Sequence, residues 1–143
     1  MIKPVIVLDD GAGDAGLAEM LFNLIRQNLE QNPEIIKDFN SLNANVAIEA
    51  QDIQILIALE FRQGKLTISE DLSFKPDLHI ITDAATVLNL CLIKIKFGLP
   101  YFFDVNGFNI LKKILSRELI IKGLLSHFGI LVKLTKVFSV VRN

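Results

Sequence analysis

The chain has 143 residues, half of them apolar (51%) and 22% charged, which excludes a disordered chain and fits one domain with a real core. Ten Phe, one Tyr, no Trp and a single cysteine, Cys91, exclude a disulfide framework and favour a reducing, cytoplasmic setting. Net charge is −1 but lopsided: residues 1–83 carry 14 acidic and 6 basic side chains, residues 84–143 carry 2 acidic and 9 basic.

The N-terminus, MIKPVIVLDDGAG, lacks the apolar core and small-residue cleavage site of a signal peptide, and residues 1–13 read as a flexible lead-in to a single domain at 14–143. Gly11, Gly13 and Gly16 have the G-x-G-x-x-G spacing of a dinucleotide-binding turn. That turn requires a parallel second strand ending in an acidic residue about 20 positions on. Near that distance lie Pro33, Glu34 and Ile35 in helical pattern, and Asp9 and Asp10 would repel a pyrophosphate. The glycines are therefore read as a lead-in, with Asp14 capping the first helix.

That helix is predicted to run to about Gln31, with Leu17, Met20, Leu21, Leu24, Ile25 and Leu29 on one stripe. Pro33 suits the first turn of a second, short helix ending near Phe39. The period then changes to two: Val46, Ile48 and Ala50 mark one strand, and Ile53 to Phe61 a second. Arg62 to Lys65 form a turn, Leu66 and Ile68 begin a third strand, and Leu78 to Ile81 a fourth. The short connections predict an antiparallel meander. Asp83 is the expected cap of a helix from Ala84 to Phe97, stopped by Gly98 and Pro100. LPYFFDVNGF reads as an aromatic loop, followed by a short helix at Asn109 to Leu115, a fifth strand at Glu118 to Lys122, and a last helix from Leu124 to Val140. The fold class is α+β, a five-stranded, mostly antiparallel sheet covered by helices.

Catalytic constellations are thin. His79 and His127 stand far apart in sequence, Cys91 sits among aliphatics as an inert buried thiol, and no metal-ligand spacing occurs. The uncharged runs at 84–93 and 123–132 hold ten residues each, well short of the roughly 20 that span a bilayer. The last helix is apolar over more than half its circumference, where covering a sheet takes a stripe of about 100°. The helix from Ala84 carries a similar surplus, and Tyr101, Phe102, Phe103 and Phe108 lie between them. Two readings stay open: a thick ordinary core, or an apolar tunnel between helices and sheet. In the second, Leu88, Cys91, Leu92, Ile95, Phe102, Phe103, Phe108, Phe128, Leu131, Leu134 and Phe138 line the ligand site. The basic half suits transient docking on an anionic membrane surface through Lys94, Lys96, Lys112, Lys113, Lys133 and Lys136. Its cations are interleaved with aliphatics and not clustered, which argues against nucleic acid.

The ordered series QNPEIIKDFN, GKLTI, PDLHIITDAATVLNL and ELIIKGLLSHFGILVKL resembles the sterol carrier protein type-two family from about Gly16 to Phe138. The resemblance implies a five-stranded sheet under helices, with a tunnel for fatty acyl chains, sterols or other lipids. It implies neither catalysis nor a cofactor. Some members of that family are domains of larger proteins, and others assist isoprenoid-quinone synthesis in bacteria. The function it implies is binding or transfer of an apolar ligand, with an accessory scaffold role as the alternative. This chain departs from the pattern in two places. It has additional, aromatic residues between Gly98 and Glu118, and Ser116 and Arg117 stand where a small residue and a glycine are usual. The end, VVRN, is not a peroxisomal tripeptide.

Overall fold

The computed structural model describes residues 3–9, 16–70, 74–96 and 99–139, with the backbone alone at 95, 96, 99 and 100. Its centre is a six-stranded sheet: β1 (Val5–Leu8), β2 (Ala44–Ala50), β3 (Ile55–Arg62), β4 (Lys65–Ser69), β5 (Leu78–Thr82) and β8 (Ile120–Lys122). The spatial order is β1-β4-β3-β2-β5-β8. Two strands, Ile95–Lys96 (β6) and Leu99–Pro100 (β7), form a separate ribbon.

Alternation of side chains decides which face is buried. Ile6, Leu66, Phe61, Val46, Leu78 and their ladder partners share one face, while Lys65, Glu60, Asn45, Glu49 and His79 share the other. The first set joins the core, where Val46, Ile48, Ile57, Leu59, Leu66 and Leu78 have no exposed surface. On the solvated face His79 Nε2 lies 3.3 Å from Glu49 Oε1, and the small Ala47 and Ala58 pair between the strands.

The helices are α1 (Leu17–Gln31), α2 (Ile36–Ser41, after a 3-10 turn at Pro33–Ile35), α3 (Ala84–Leu90), α4 (Val105–Leu115) and α5 (Phe128–Phe138). On α1, Leu17, Ala18, Leu21, Ile25, Asn28 and Leu29 face inward, and Met20, expected on that stripe, is half exposed.

Several expectations are corrected. The sheet has six strands and mixed direction, not five and mostly antiparallel. Val5–Leu8, expected as lead-in, pairs in parallel with β4, because Ile6 and Leu8 extend the apolar face beside Leu66 and Ile68, while Val5 and Val7 are exposed on the other face. β5 runs parallel to β2 on the far side of the sheet. Eight residues, 70–77, join β4 to β5, and an extended chain of that length reaches about 26 Å. Three inter-strand spacings and one strand length together need only about 22 Å, so a helical crossover is unnecessary.

The helix expected over Ala84 to Phe97 ends at Leu90, since Ile93-Lys94-Ile95-Lys96 alternates with period two and enters the ribbon. α4 starts four residues earlier than predicted and α5 four later. Asp104 supplies an unrecognised cap, its Oδ1 accepting from Gly107 N at 2.7 Å. Gly123, at φ 89°, turns the chain before α5 begins. Gly11, Gly13 and Asp14 lie outside the described residues, but β1 sits at the sheet edge with β2 three places away. The strand that follows α1 is therefore not the parallel neighbour of β1, as a dinucleotide fold requires.

Candidate functional site

The segment from Asp83 onward builds a helical face held by polar pins. Asp83 Oδ1 accepts from Thr86 N at 2.7 Å, capping α3, and its other oxygen lies 4.0 Å from Lys113 Nζ. The hydrogen bonds from Thr86 hold the Asp83 carboxyl below its usual range, with a smaller contribution from Lys113. Lys113 Nζ also donates to the buried Thr86 hydroxyl at 2.7 Å, and Asn106 Nδ2 to Asn89 O at 3.2 Å, so α4 is pinned to α3. Gly107 lies so close to the chain at 101–102 that an added Cβ would stand 2.4 Å from Tyr101 O.

α5 packs against α1 and α2. Its last carbonyls, which have no partner within the helix, are satisfied from α1: Asn28 Nδ2 donates to Val137 O at 2.6 Å and Ser139 O at 2.8 Å. The Ser139 hydroxyl donates in turn to Ile93 O, tying the end of α5 to the chain beyond α3. Lys136 Nζ lies 3.6 Å from Asp38 Oδ1.

The residues expected to line a ligand site fall into three groups. Cys91, Leu134 and Phe138 are buried in the core. Leu88, Phe102 and Leu131 are partly buried and pack against it. Leu92, Phe103, Phe108 and Phe128 are exposed, Phe103 at 86%. For Ile95 only the backbone is described. Burial pushes the Cys91 thiol up to about 12, which leaves it protonated at neutral pH and a poor nucleophile. Among the described residues no group of three or more His, Cys, Asp or Glu is placed to hold a metal ion.

Two clefts formed by described residues lie elsewhere. One of about 370 Å³ between β1, α1 and α2 has an apolar floor of Pro4, Ile6, Leu29 and Ile36, with Lys3, Arg26 and Glu30 at its rim. Another, of about 260 Å³ and largely polar, lies between α3 and α4 at Asn89, Asn106, Asn109 and Lys113. Both are open to solvent, and neither includes a residue of the expected lining. Sequence reasoning misses the outward row Val105, Leu111 and Leu115 of α4, all exposed. With Phe108 between them, the three-to-four spacing is a usable signal, but the aromatic, glycine-containing segment up to Phe108 reads as loop.

The topology is that of a sterol carrier protein type-two fold. Among solved structures the chain is similar to "UbiJ-SCP2 Ubiquinone synthesis protein", at 15% identity and TM-score 0.60, covering 85% of this chain and 91% of that one. It is also similar to the sterol carrier protein domain 2 of Helicoverpa armigera, at 14% identity and TM-score 0.55, covering 84% and 83%. No protein-family model matches the sequence, and no curated protein does. At such identities the likeness establishes the fold.

Proposed function

We propose that the domain binds an apolar lipid, a fatty acyl, sterol-like or isoprenoid molecule, without catalysing a reaction on it. The observation that carries this reading is the state of the C-terminal half. Leu92, Phe103 and Phe128 are exposed, and Leu88, Phe102 and Leu131 pack on the core with part of their surface free. Such partly covered apolar side chains give a ligand area to bury at about 25 cal/mol per Å². The fold supports the same reading by analogy, since the similar insect domain is named a sterol carrier domain.

A second reading, an accessory module for isoprenoid-quinone synthesis that holds a partner protein on the same surface, is favoured by the likeness to a protein named for ubiquinone synthesis. Native mass spectrometry of the full-length protein separates the two. A co-purifying lipid of defined mass is expected. A clean apo mass, with no uptake of fatty acid or isoprenoid supplied afterwards, contradicts the lipid reading.

A further inference from the structure

α4 has two apolar faces, and among the described residues only one has a partner. Gly107, Ile110 and Ile114 turn inward, Ile110 fully buried. At 100° per residue, Val105, Lys112, Phe108, Leu115 and Leu111 occupy an outward arc of about 120°. Val105 is 80% exposed, Leu115 77% and Phe108 50%, and Phe103, just before the helix, 86%. The pins to Asn89 and Thr86 and the close approach at Gly107 fix which face looks outward. This is not a helix that has yet to find its place on the core.

The charge on and around this arc is basic. Lys112 stands within it, its Nζ 5.2 Å from the Phe108 ring centre, and the exposed Arg117 follows the helix end. Two acids stand nearby and keep their charge, Asp104 capping Gly107 and Glu118 accepting from the Ser116 hydroxyl at 3.2 Å, but residues 84–143 as a whole carry 9 basic and 2 acidic side chains. No helix among the described residues is long and apolar enough to cross a membrane. An 11-residue helix of about 16 Å, apolar outward and edged by cations, matches a segment that lies in the plane of a lipid interface.

We infer that the outward face of α4 docks the protein on an anionic lipid bilayer, with Val105, Phe108 and Leu115 entering the interface and Lys112 and Arg117 meeting headgroups. This goes beyond the ligand reading, because docking needs no cargo.

The test is co-sedimentation of the full chain with phosphatidylcholine vesicles, with and without phosphatidylglycerol, alongside fatty-acid uptake and thermal melts. The wild type is expected to bind the anionic vesicles more tightly and to weaken with salt. Val105→Ser/Leu115→Ser should lose at least about tenfold in vesicle affinity by removing apolar burial. Lys112→Gln should lose about fivefold, and only toward anionic vesicles. Melts and fatty-acid uptake should stay unchanged in both variants. Indifference of the wild type to lipid charge, or full vesicle binding by Val105→Ser/Leu115→Ser, overturns the inference. So does a wild-type dimer that the double substitution makes monomeric, since the face then belongs to a second copy. Loss of fatty-acid uptake in the wild type itself counts against the ligand reading and leaves the vesicle result to decide docking.

Discussion

Residues up to Thr82 and those after it bury their apolar side chains to different degrees. In the first region α1, α2 and five strands close around side chains such as Leu21, Ile25, Phe39 and Phe61, each at most 1% exposed, and its charges are mainly acidic. In the second, α3 to α5 keep large apolar groups in water, from Leu92 to Phe128, among mainly basic charges. Apolar composition alone does not separate the regions, since both are rich in Leu and Ile. The difference lies in whether each apolar face has a partner among the described residues. The first region buries most of its large apolar side chains, and among the described residues the second leaves more of them exposed.

The comparison breaks first at its aromatics. Phe61, packed edge-on to Phe39 at 5.9 Å between ring centres, should cost about 3–5 kcal/mol on truncation to Ala, whereas Phe103→Ala should stay within about 0.5 kcal/mol. Denaturant melts of the two variants provide the check, and equal losses would erase the distinction. A smaller effect is expected at the seam. Asn28→Ala leaves Val137 O and Ser139 O without their donor and should cost about 1–3 kcal/mol in the same melts.

The smallest effect is pH-dependent. The Asp83 carboxyl sits below its ordinary value of 3.8, so its contribution is present above that pH and fades as pH falls through the folded-state value. Asp83→Ala should cost about 1 kcal/mol near neutrality as a lost cap, and the gap from wild type should narrow below about pH 4. A gap that is constant down to about pH 2 would assign the cost to packing and not to charge.

Much of the first region is legible in the sequence because its elements are regular. The α1 stripe and the period-two runs at 45–50 and 53–61 follow from local pattern, although the second strand begins only at Ile55, and beyond Thr82 so does the cap at Asp83. β1 escapes such reading because four residues beside glycines carry little pattern of their own, and only pairing with β4 makes them a strand. The meander fails because reach along a chain, not loop length alone, decides whether neighbours run parallel.

In the candidate site, surplus apolar surface is legible from the width of the stripes, but its location is not. Ile93 to Lys96 fits a helix by composition and a strand by period, and the choice moves every side chain after Leu90. Leu134, placed by sequence on a tunnel wall, is 1% exposed in the core, while Leu131 one turn earlier is partly open.

Leu131 is therefore the position for the most direct test, titration of the full-length protein with a fluorescent fatty acid and displacement by the unlabelled acid. Saturable, displaceable uptake is expected in the wild type, and Leu131→Trp should reduce it while costing less than the about 1–3 kcal/mol of an overpacked core. Absence of saturable uptake, or full uptake by a strongly destabilised Leu131→Trp, would contradict the account: the second region would then be core, and its exposed side chains would serve another purpose.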